Sequence, residues 1–404
     1  MVAIRTNGVR IPHKVKANWL RNYAFQLDFF TEISETVGNT GTPVLFAPTP
    51  PNHNGGVHSA MISPNPTASV TYPQDWSKYN LAQQTEKQRF LVLLRDLCST
   101  VPQPPQTNGR PRLPLADMLF AATFKVYSGF SSRRFTSDVQ AAMQGGLIDR
   151  APHFNSTNRY LADPALNPLL KTLIEVSASP LQAVEVDFAI DSTGFATSNY
   201  ARWFDHKWGK SKSKQRFVKT HLMTGVKTNI VTAAEATANE SADAPQLPDL
   251  LAATTRIFEV QELSADKAYS SKRNLRAVEA AGGTPYIPYK VNATGRQGHH
   301  RFDGLWSRMW HYYNFNRDEF MAHYHKRSNA ETTMAMIKSK FGGAVKSKSP
   351  TAQVNEVLCK VLAHNICVLI QSFYELGIES AFSPAIQPEP KVIDLNQYRL
   401  RMGL

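Results

Sequence analysis

The stretch VEVDFAIDSTGF, residues 184–195, constrains the fold of this chain more than any other. Its side chains alternate with period two: Val184, Val186, Phe188 and Ile190 fall on one face, Glu185, Asp187, Ala189 and Asp191 on the other. Only a strand separates those two sets, burying the first and leaving an acidic face behind it. Two further strand-like runs, RFVKTHLMTGV and NIVTAAEATAN, follow at separations short enough for an antiparallel meander. The pattern then alternates. A helix in APQLPDLLAATTRIF leads to a fourth strand ending VQELSADKAYS, a helix in SSKRNLRAVEAAG and a short fifth strand in TPYIPYK.

Three meander strands followed by alternating helix and strand predict an α/β fold, a mixed sheet with helices on both faces, of the RNase H-like kind, over residues 181–380. From 81 to 180 helical periodicity dominates, in LAQQTEKQRFLVLLRDLC, LADMLFAATFKVYSG, SSRRFTSDVQAAMQGG and STNRYLADPALNPLLKTLIEVS. Ser131 offers an N-cap and Gly145-Gly146 a stop. Short helices with Arg133, Arg134 and Arg159 near their starts fit a helix-turn-helix-like DNA-binding domain, and equally a small helical bundle. Residues 1–80 are an N-terminal basic segment with one short helix and then a Pro-, Gly- and Asn-rich linker, and residues 381–404 are a C-terminal tail.

A formal net charge of +13 and a pI near 9.6 predict attraction to polyanions, with nucleic acid the first candidate and an anionic membrane surface its rival. The most apolar run, VLCKVLAHNICVLIQSF, is interrupted by Lys360, His364 and Asn365, which reads as a buried or amphipathic helix and not a membrane span. The N-terminus lacks the apolar core of a secretory signal, so the expected location is cytoplasmic, at the nucleoid. Three cysteines, Cys98, Cys359 and Cys367, without a CxxC pair encode neither a disulfide framework nor a zinc site; the last two read as small core residues.

Three acids stand out by position. Asp191 closes the first strand, Asp266 closes the fourth, and Glu331 lies in YHKRSNAETTMAMIK, residues 324–338. Strands one and four are neighbours in the predicted sandwich, so both aspartates sit near exposed strand ends, and the later helix can lay Glu331 over them. On that helix Tyr324, Arg327, Glu331 and Lys338 share one stripe, within about 40° of each other. An ordinary solvated face with an i, i+4 ion pair, worth about 0.3–0.5 kcal/mol, explains the stripe on its own. Three converging carboxylates repel, however, and a divalent cation removes that cost. Oxygen ligands suit Mg²⁺ or Mn²⁺, and two such ions stabilise both the attacking and the leaving oxygen in phosphoryl transfer. Arg327 and Lys338 then hold the phosphate backbone of the DNA presented to them.

AIDSTG, SADKAYSS and YHKRSNAETTMAMIKSKFG resemble the three acidic motifs of the DDE transposases encoded by insertion sequences. The last matches that group's Y-x2-R-x3-E-x6-K pattern at Tyr324, Arg327, Glu331 and Lys338. The resemblance covers roughly residues 110–375. It implies that Asp191, Asp266 and Glu331 bind two catalytic Mg²⁺ (or Mn²⁺) ions and that Tyr324, Arg327 and Lys338 contact DNA near the cleaved end. It also implies double-stranded DNA partners, the terminal inverted repeats and the target, and a homodimer on DNA. Only 65 positions separate Asp266 from Glu331, too few for the β-rich insertion of some relatives, so a compact helical segment is expected there. Such insertions use aromatics to hold a flipped base; here Trp306 and Trp310 are the candidates, with core packing as the alternative.

The loop after the first strand carries Arg202, Lys207, Lys210, Lys212, Lys214, Arg216 and Lys219 with Trp203 and Trp208 interleaved, which reads as a DNA-backbone contact or a solvated hairpin tip. Asp187, about 13 Å from Asp191 along the strand, is too far to help a metal. His221 reads as a structural histidine near the site, Asp243 as a helix N-cap, and His299 and His300 as DNA-proximal loop residues. The function expected is cut-and-paste DNA transposition: end binding, metal-dependent cleavage and strand transfer. A regulatory DNA-binding protein on the same fold, or a metal-dependent nuclease without joining, are the alternatives.

Overall fold

The computed structural model describes residues 75–106, 108–109, 111–197, 217–237, 241–295 and 304–382. The N-terminal segment expected over 1–80 therefore lies almost wholly outside the described residues, as do the tail from 383, the loop residues Arg202, Trp203, Lys207, Trp208, Lys210, Lys212, Lys214 and Arg216, and His299 and His300.

Strands β1 (Asp187–Ala196), β2 (Phe217–Gly225), β3 (Val231–Thr237), β4 (Glu262–Ala265) and β5 (Thr284–Tyr286) form one mixed sheet in the order β3-β2-β1-β4-β5. β1, β2 and β3 are antiparallel neighbours, while β4 and β5 run parallel to β1 and to each other. That is the RNase H-like arrangement. The first strand is displaced from its expected span at both ends. It begins at Asp187 because the buried Glu185 side chain is drawn to the β2–β3 turn, where its carboxylate accepts from the Lys227 and Thr228 amides and the Thr228 hydroxyl. It runs past Asp191 to Ala196 because residues 192–196 keep pairing with β2, Ser192 opposite His221 and Ala196 opposite Phe217. Asp191 thus ends the strand only on its β4 side, where pairing stops at Ile190 opposite Ala265.

Both faces of the sheet are covered, as β1 shows: Phe188 and Ile190 pack on one side with α6 (Leu247–Thr254) and α7 (Lys272–Ala280), Phe195 on the other. The second side receives α1 (Trp76–Ser99), α2 (Leu115–Ser128), α3 (Thr136–Gln144), α4 (Phe154–Leu161) and α5 (Leu166–Ala178). These helices share one continuous core with Val218, Leu222, Val231 and Ala234 of the sheet, so packing crosses the division expected near residue 180. Their apolar stripes are completed from the far end of the chain by α11 (Pro350–Leu376), which packs against α1, α2 and α5. Ser131 does not cap α3: residues 131–135 form a turn closed by the Phe135 amide on the Ser131 carbonyl, and the helix starts at Thr136. Its stop is as expected, with Gly145 at the end and Gly146 at φ 72°.

α11 starts on the Ser349 side-chain cap and ends on Gly377 at φ 70°. It is long and apolar enough to cross a bilayer, but 78% of its most apolar window is buried inside the protein. The three polar residues that interrupt its apolar run are satisfied there. Lys360 donates to the carbonyls of Gly342 (2.8 Å) and Ala344 (2.7 Å). His364 uses Nε2 on the Asn229 carbonyl at 2.9 Å, and Asn365 ties α11 to β3 and α5. Cys98 and Cys359 are buried and Cys367 half-buried, all as free thiols.

Burial pushes the His364 imidazole down to about 4 from its ordinary 6.5. The unfolded chain therefore binds a proton that the folded one refuses, and stability present above pH 6.5 is lost as pH falls toward 4, by up to about 3 kcal/mol for this residue. We expect the urea midpoint to drop between pH 7 and 4.5, and His364→Gln to flatten that slope. A variant as acid-sensitive as the parent would show that the imidazole is not responsible.

Candidate active site

The pairing of Ile190 with Ala265 makes Asp191 and Asp266 the next residues on adjacent parallel strands, whose axes lie about 4.8 Å apart. Asp266 leaves β4 in extended conformation and caps the short 3₁₀ turn Lys267–Tyr269, its Oδ1 accepting from the Lys267 amide at 2.6 Å. Asp191 accepts from the Ser192 amide at 2.8 Å through Oδ1, which leaves Oδ2 for a partner outside the strand.

That partner is Arg327. Its Nη1 donates to Asp191 Oδ2 at 2.7 Å, its Nη2 to Glu331 Oε1 at 2.6 Å, and its Nε to Tyr324 Oη at 3.2 Å. The stripe is thus joined to β1 by more than an i, i+4 pair. Two turns further on, Lys338 Nζ donates to Thr193 Oγ1 at 2.6 Å and lies over the Phe195 ring. These residues are not on one helix, as the spacing predicts. Tyr324 ends α9 (Arg317–Tyr324), His325–Arg327 tighten into a 3₁₀ turn, and Glu331 sits in the first turn of α10 (Ser328–Phe341). The break follows from two cations pulled onto the sheet side by side. Arg327 reaches Asp191, and Lys326 Nζ is bound at 2.7 Å by both Asp187 and Glu262.

The Lys326 clamp has no counterpart among the sequence motifs. Asp187 and Glu262 pair across β1 and β4, and two adjacent carboxylates need a cation. His323 also reaches Glu262, with Nδ1 at 2.9 Å, and stacks on Tyr286. Burial works the other way, but the bonds from Lys326 and His323 hold the Glu262 carboxyl below its usual range. The strand register, invisible in the sequence, is what joins the two acids.

Burial is also the largest influence on Asp191. It pushes the carboxyl up; Arg327 and the Ser192 amide pull it down, Glu331 and Asp266 push it up again, and the balance stands at about 6. Burial favours proton loss from Arg327, but Asp191, Tyr324 and Glu331 outweigh it and hold the guanidinium charged. Lys338 is lowered to about 8 by burial and by Lys360. The three acids do not converge as tightly as expected. Among the described residues no group of three or more His, Cys, Asp or Glu is gathered to hold an ion as it stands. The guanidinium occupies the space between Asp191 and Glu331, and the Glu331 side chain is 46% exposed against 17% for Asp191.

Other expected site residues fall elsewhere. His221 is buried against Tyr269 Oη (3.3 Å) and Thr237 Oγ1 (3.0 Å), in a structural role. Asp243 makes no side-chain cap; it is drawn to Lys219 at 2.6 Å, which removes that lysine from the basic loop. Trp306 and Trp310, on α8 (Gly304–Phe315), donate their indole N–H groups to the carbonyls of Thr294 and Ala293 and pack against the core. Arg133, Arg134 and Arg159 are exposed, the first two lying over the rings of Phe154 and Phe130.

The sheet is RNase H-like, with aspartates at adjacent ends of its central parallel strands and a glutamate-bearing helix facing them. Residues 182–366 match the family model described as the transposase DDE domain. A solved piggyBac transposase synaptic complex with hairpin DNA is similar at 10% identity over 72% of this chain and 74% of that one, with a TM-score of 0.35.

Proposed function

We propose that this protein is a DDE transposase that binds the terminal inverted repeats of an insertion sequence, cleaves them with divalent metal ions and transfers the freed 3′ ends to target DNA. The observation that supports this most is the register that sets Asp191 beside Asp266, with Glu331 linked to Asp191 through Arg327.

The donor set suits Mg²⁺ or Mn²⁺. It consists of hard carboxylate oxygens, and Asp191 at about 6 is a carboxylate that Arg327 alone under-compensates. Asp191, Asp266 and Glu331 are the residues that would hold two such ions, which when bound activate the attacking oxygen and neutralise the charge developing on phosphorus. The side chains around them handle the DNA. Arg327 exchanges Asp191 for a backbone phosphate and keeps Glu331, so its charge is never left unpaired. Tyr324 stays against the guanidinium and fixes its plane, while Lys338, held by Thr193 on β1, meets the next phosphate. The loop bearing Arg202, Lys207, Lys210, Lys212, Lys214 and Arg216 extends this basic track, and Arg133, Arg134 and Arg159 add contacts from the helical side. Processing two ends together calls for a homodimer on DNA, working at the cytoplasmic nucleoid.

The test is a cleavage assay on duplexes carrying the repeats that flank the coding region, with and without Mg²⁺. Ends cut only with Mg²⁺ and then joined to a second duplex are expected. Cut strands that never join would make the protein a nuclease.

A further inference from the structure

A cleft of about 470 Å³ opens between the α2–α3 turn, the end of α4 and the start of α11, lined by Lys125, Ser131, Ser132, Asn158, Lys346 and Lys348. We propose that it is a second phosphate-binding site, one that takes a phosphodiester of the DNA backbone remote from the cleavage site. The inference rests on the DNA-transposase reading above.

Lys125 carries the argument. It belongs to α2 and is only 8% exposed, yet it lines this cleft, and among the described residues its ammonium has no hydrogen-bond or ion-pair partner. A largely buried ammonium facing a cleft with no ion-pair partner is a ready receiver for an anion that enters it. No acid lines the cleft. Glu356, whose charge acts on Lys125, is engaged: its oxygens accept the amides of Lys346 (2.9 and 3.1 Å) and Ser347 (2.8 Å), which shapes the loop that presents Lys346 and Lys348. Lys346 turns its ammonium onto the Gly129 carbonyl at the end of α2, while Lys348 is exposed. The positive end of the 27-residue α11, capped by Ser349, faces the same space and favours an anion there. Burial lowers the affinity of Lys125 for its proton and Lys346 adds to that, while Glu356 and Cys359 oppose it.

The setting indicates DNA as the source of that anion. Arg133 and Arg134 follow Ser132 directly and Arg159 follows Asn158, all three exposed, so the cleft continues into a basic surface. α10 carries Glu331 in its first turn, ends at Phe341, and hands the chain to the 342–349 segment that forms the cleft wall. From Glu331 to the end of this helix the chain rises about 15 Å at ~1.5 Å per residue before it reaches the cleft wall. That is the length of about four or five base pairs at ~3.4 Å each.

Duplex binding as a function of salt tests this, using Lys125→Met and Lys348→Ala in the full chain. Lys125→Met is near-isosteric and removes a buried charge, and Lys348→Ala is on the surface, so both should keep the parent's circular dichroism. Each is expected to weaken binding three- to tenfold at about 100 mM salt, equally for end-bearing and random duplexes, and to lower the slope of log Kobs against log[salt] by about 0.9 for each phosphate no longer neutralised. Unchanged slopes in two folded variants would overturn the proposal even if cleavage and joining proceed normally. Reduced slopes with no cleavage by the parent would uphold the site and sink the transposase reading instead. In a third arm, inorganic phosphate is added in thermal melts. Stabilisation of the parent but not of Lys125→Met, with DNA slopes unaltered, would assign the cleft to a free anion and refute the DNA claim.

Discussion

Asp191→Asn, Asp266→Asn and Glu331→Gln are each expected to slow strand cleavage by about 10³-fold or more while duplex affinity stays within a few-fold of the parent. Each exchange keeps the size of the side chain and, on the proposed function, removes one anionic ligand of ions that would supply several kcal/mol of transition-state stabilisation, at 1.36 kcal/mol per decade of rate. The consequences for folding differ among the three. Glu331 is 46% exposed, and its loss leaves Arg327 still bonded to Asp191, so Glu331→Gln should melt like the parent. Asp191→Asn removes a charge that burial already disfavours, and Arg327 retains Glu331. Asp266→Asn keeps an oxygen to accept from the Lys267 amide. Inactivity in these variants therefore reports on chemistry rather than on unfolding. Single-turnover cleavage of an end-bearing duplex measures it, and a Glu331→Gln protein cutting at the parental rate would remove the helix from the active site.

The aspartates were legible because β1 obeys period two and because a meander followed by alternating helix and strand leaves few ways to arrange five strands. Asp191 and Asp266 then fall beside each other whatever the details of the loops. What could not be read was whatever depends on pairing across long separations. β1 continues to Ala196 because β2 accompanies it, and nothing in STGFA announces that. Lys326 reads as one more base in a basic stretch until register places Asp187 against Glu262. Arg327 and Glu331 present an ordinary helical ion pair, and only the fold brings Asp191, 136 positions away, to the same guanidinium. The helices between 76 and 178 read as a domain in their own right for the same reason. Their apolar stripes are complete only against α11, which the chain supplies last.

That late helix is also where the largest loss of stability is expected, from Asn365→Leu. Asn365 is fully buried, and its amide is used at every position. Oδ1 accepts from the Val231 amide at 2.9 Å, while Nδ2 donates to the Val231 carbonyl (2.7 Å), the Ser177 hydroxyl (2.9 Å) and the Ile174 carbonyl (3.3 Å). One side chain thus fastens the first residue of β3, an edge strand, to α11 and to the end of α5. Leucine has almost the same volume, so the change opens no cavity. It strands the amide and carbonyl of Val231 without water or partner, at about 1–3 kcal/mol for each group. A total near 4 kcal/mol is a large share of the roughly 5–15 kcal/mol that holds a protein folded, and it corresponds to a melting point lower by about 10 °C. The urea midpoint should fall with the m-value unchanged, since the same surface is exposed on unfolding. A loss under about 1 kcal/mol would mean that the strand end finds other partners when the amide is gone. Because β3 is separated from the carboxylate-bearing strands by β2, cleavage per folded molecule at about 20 °C should survive the substitution, and that sets it apart from the active-site variants.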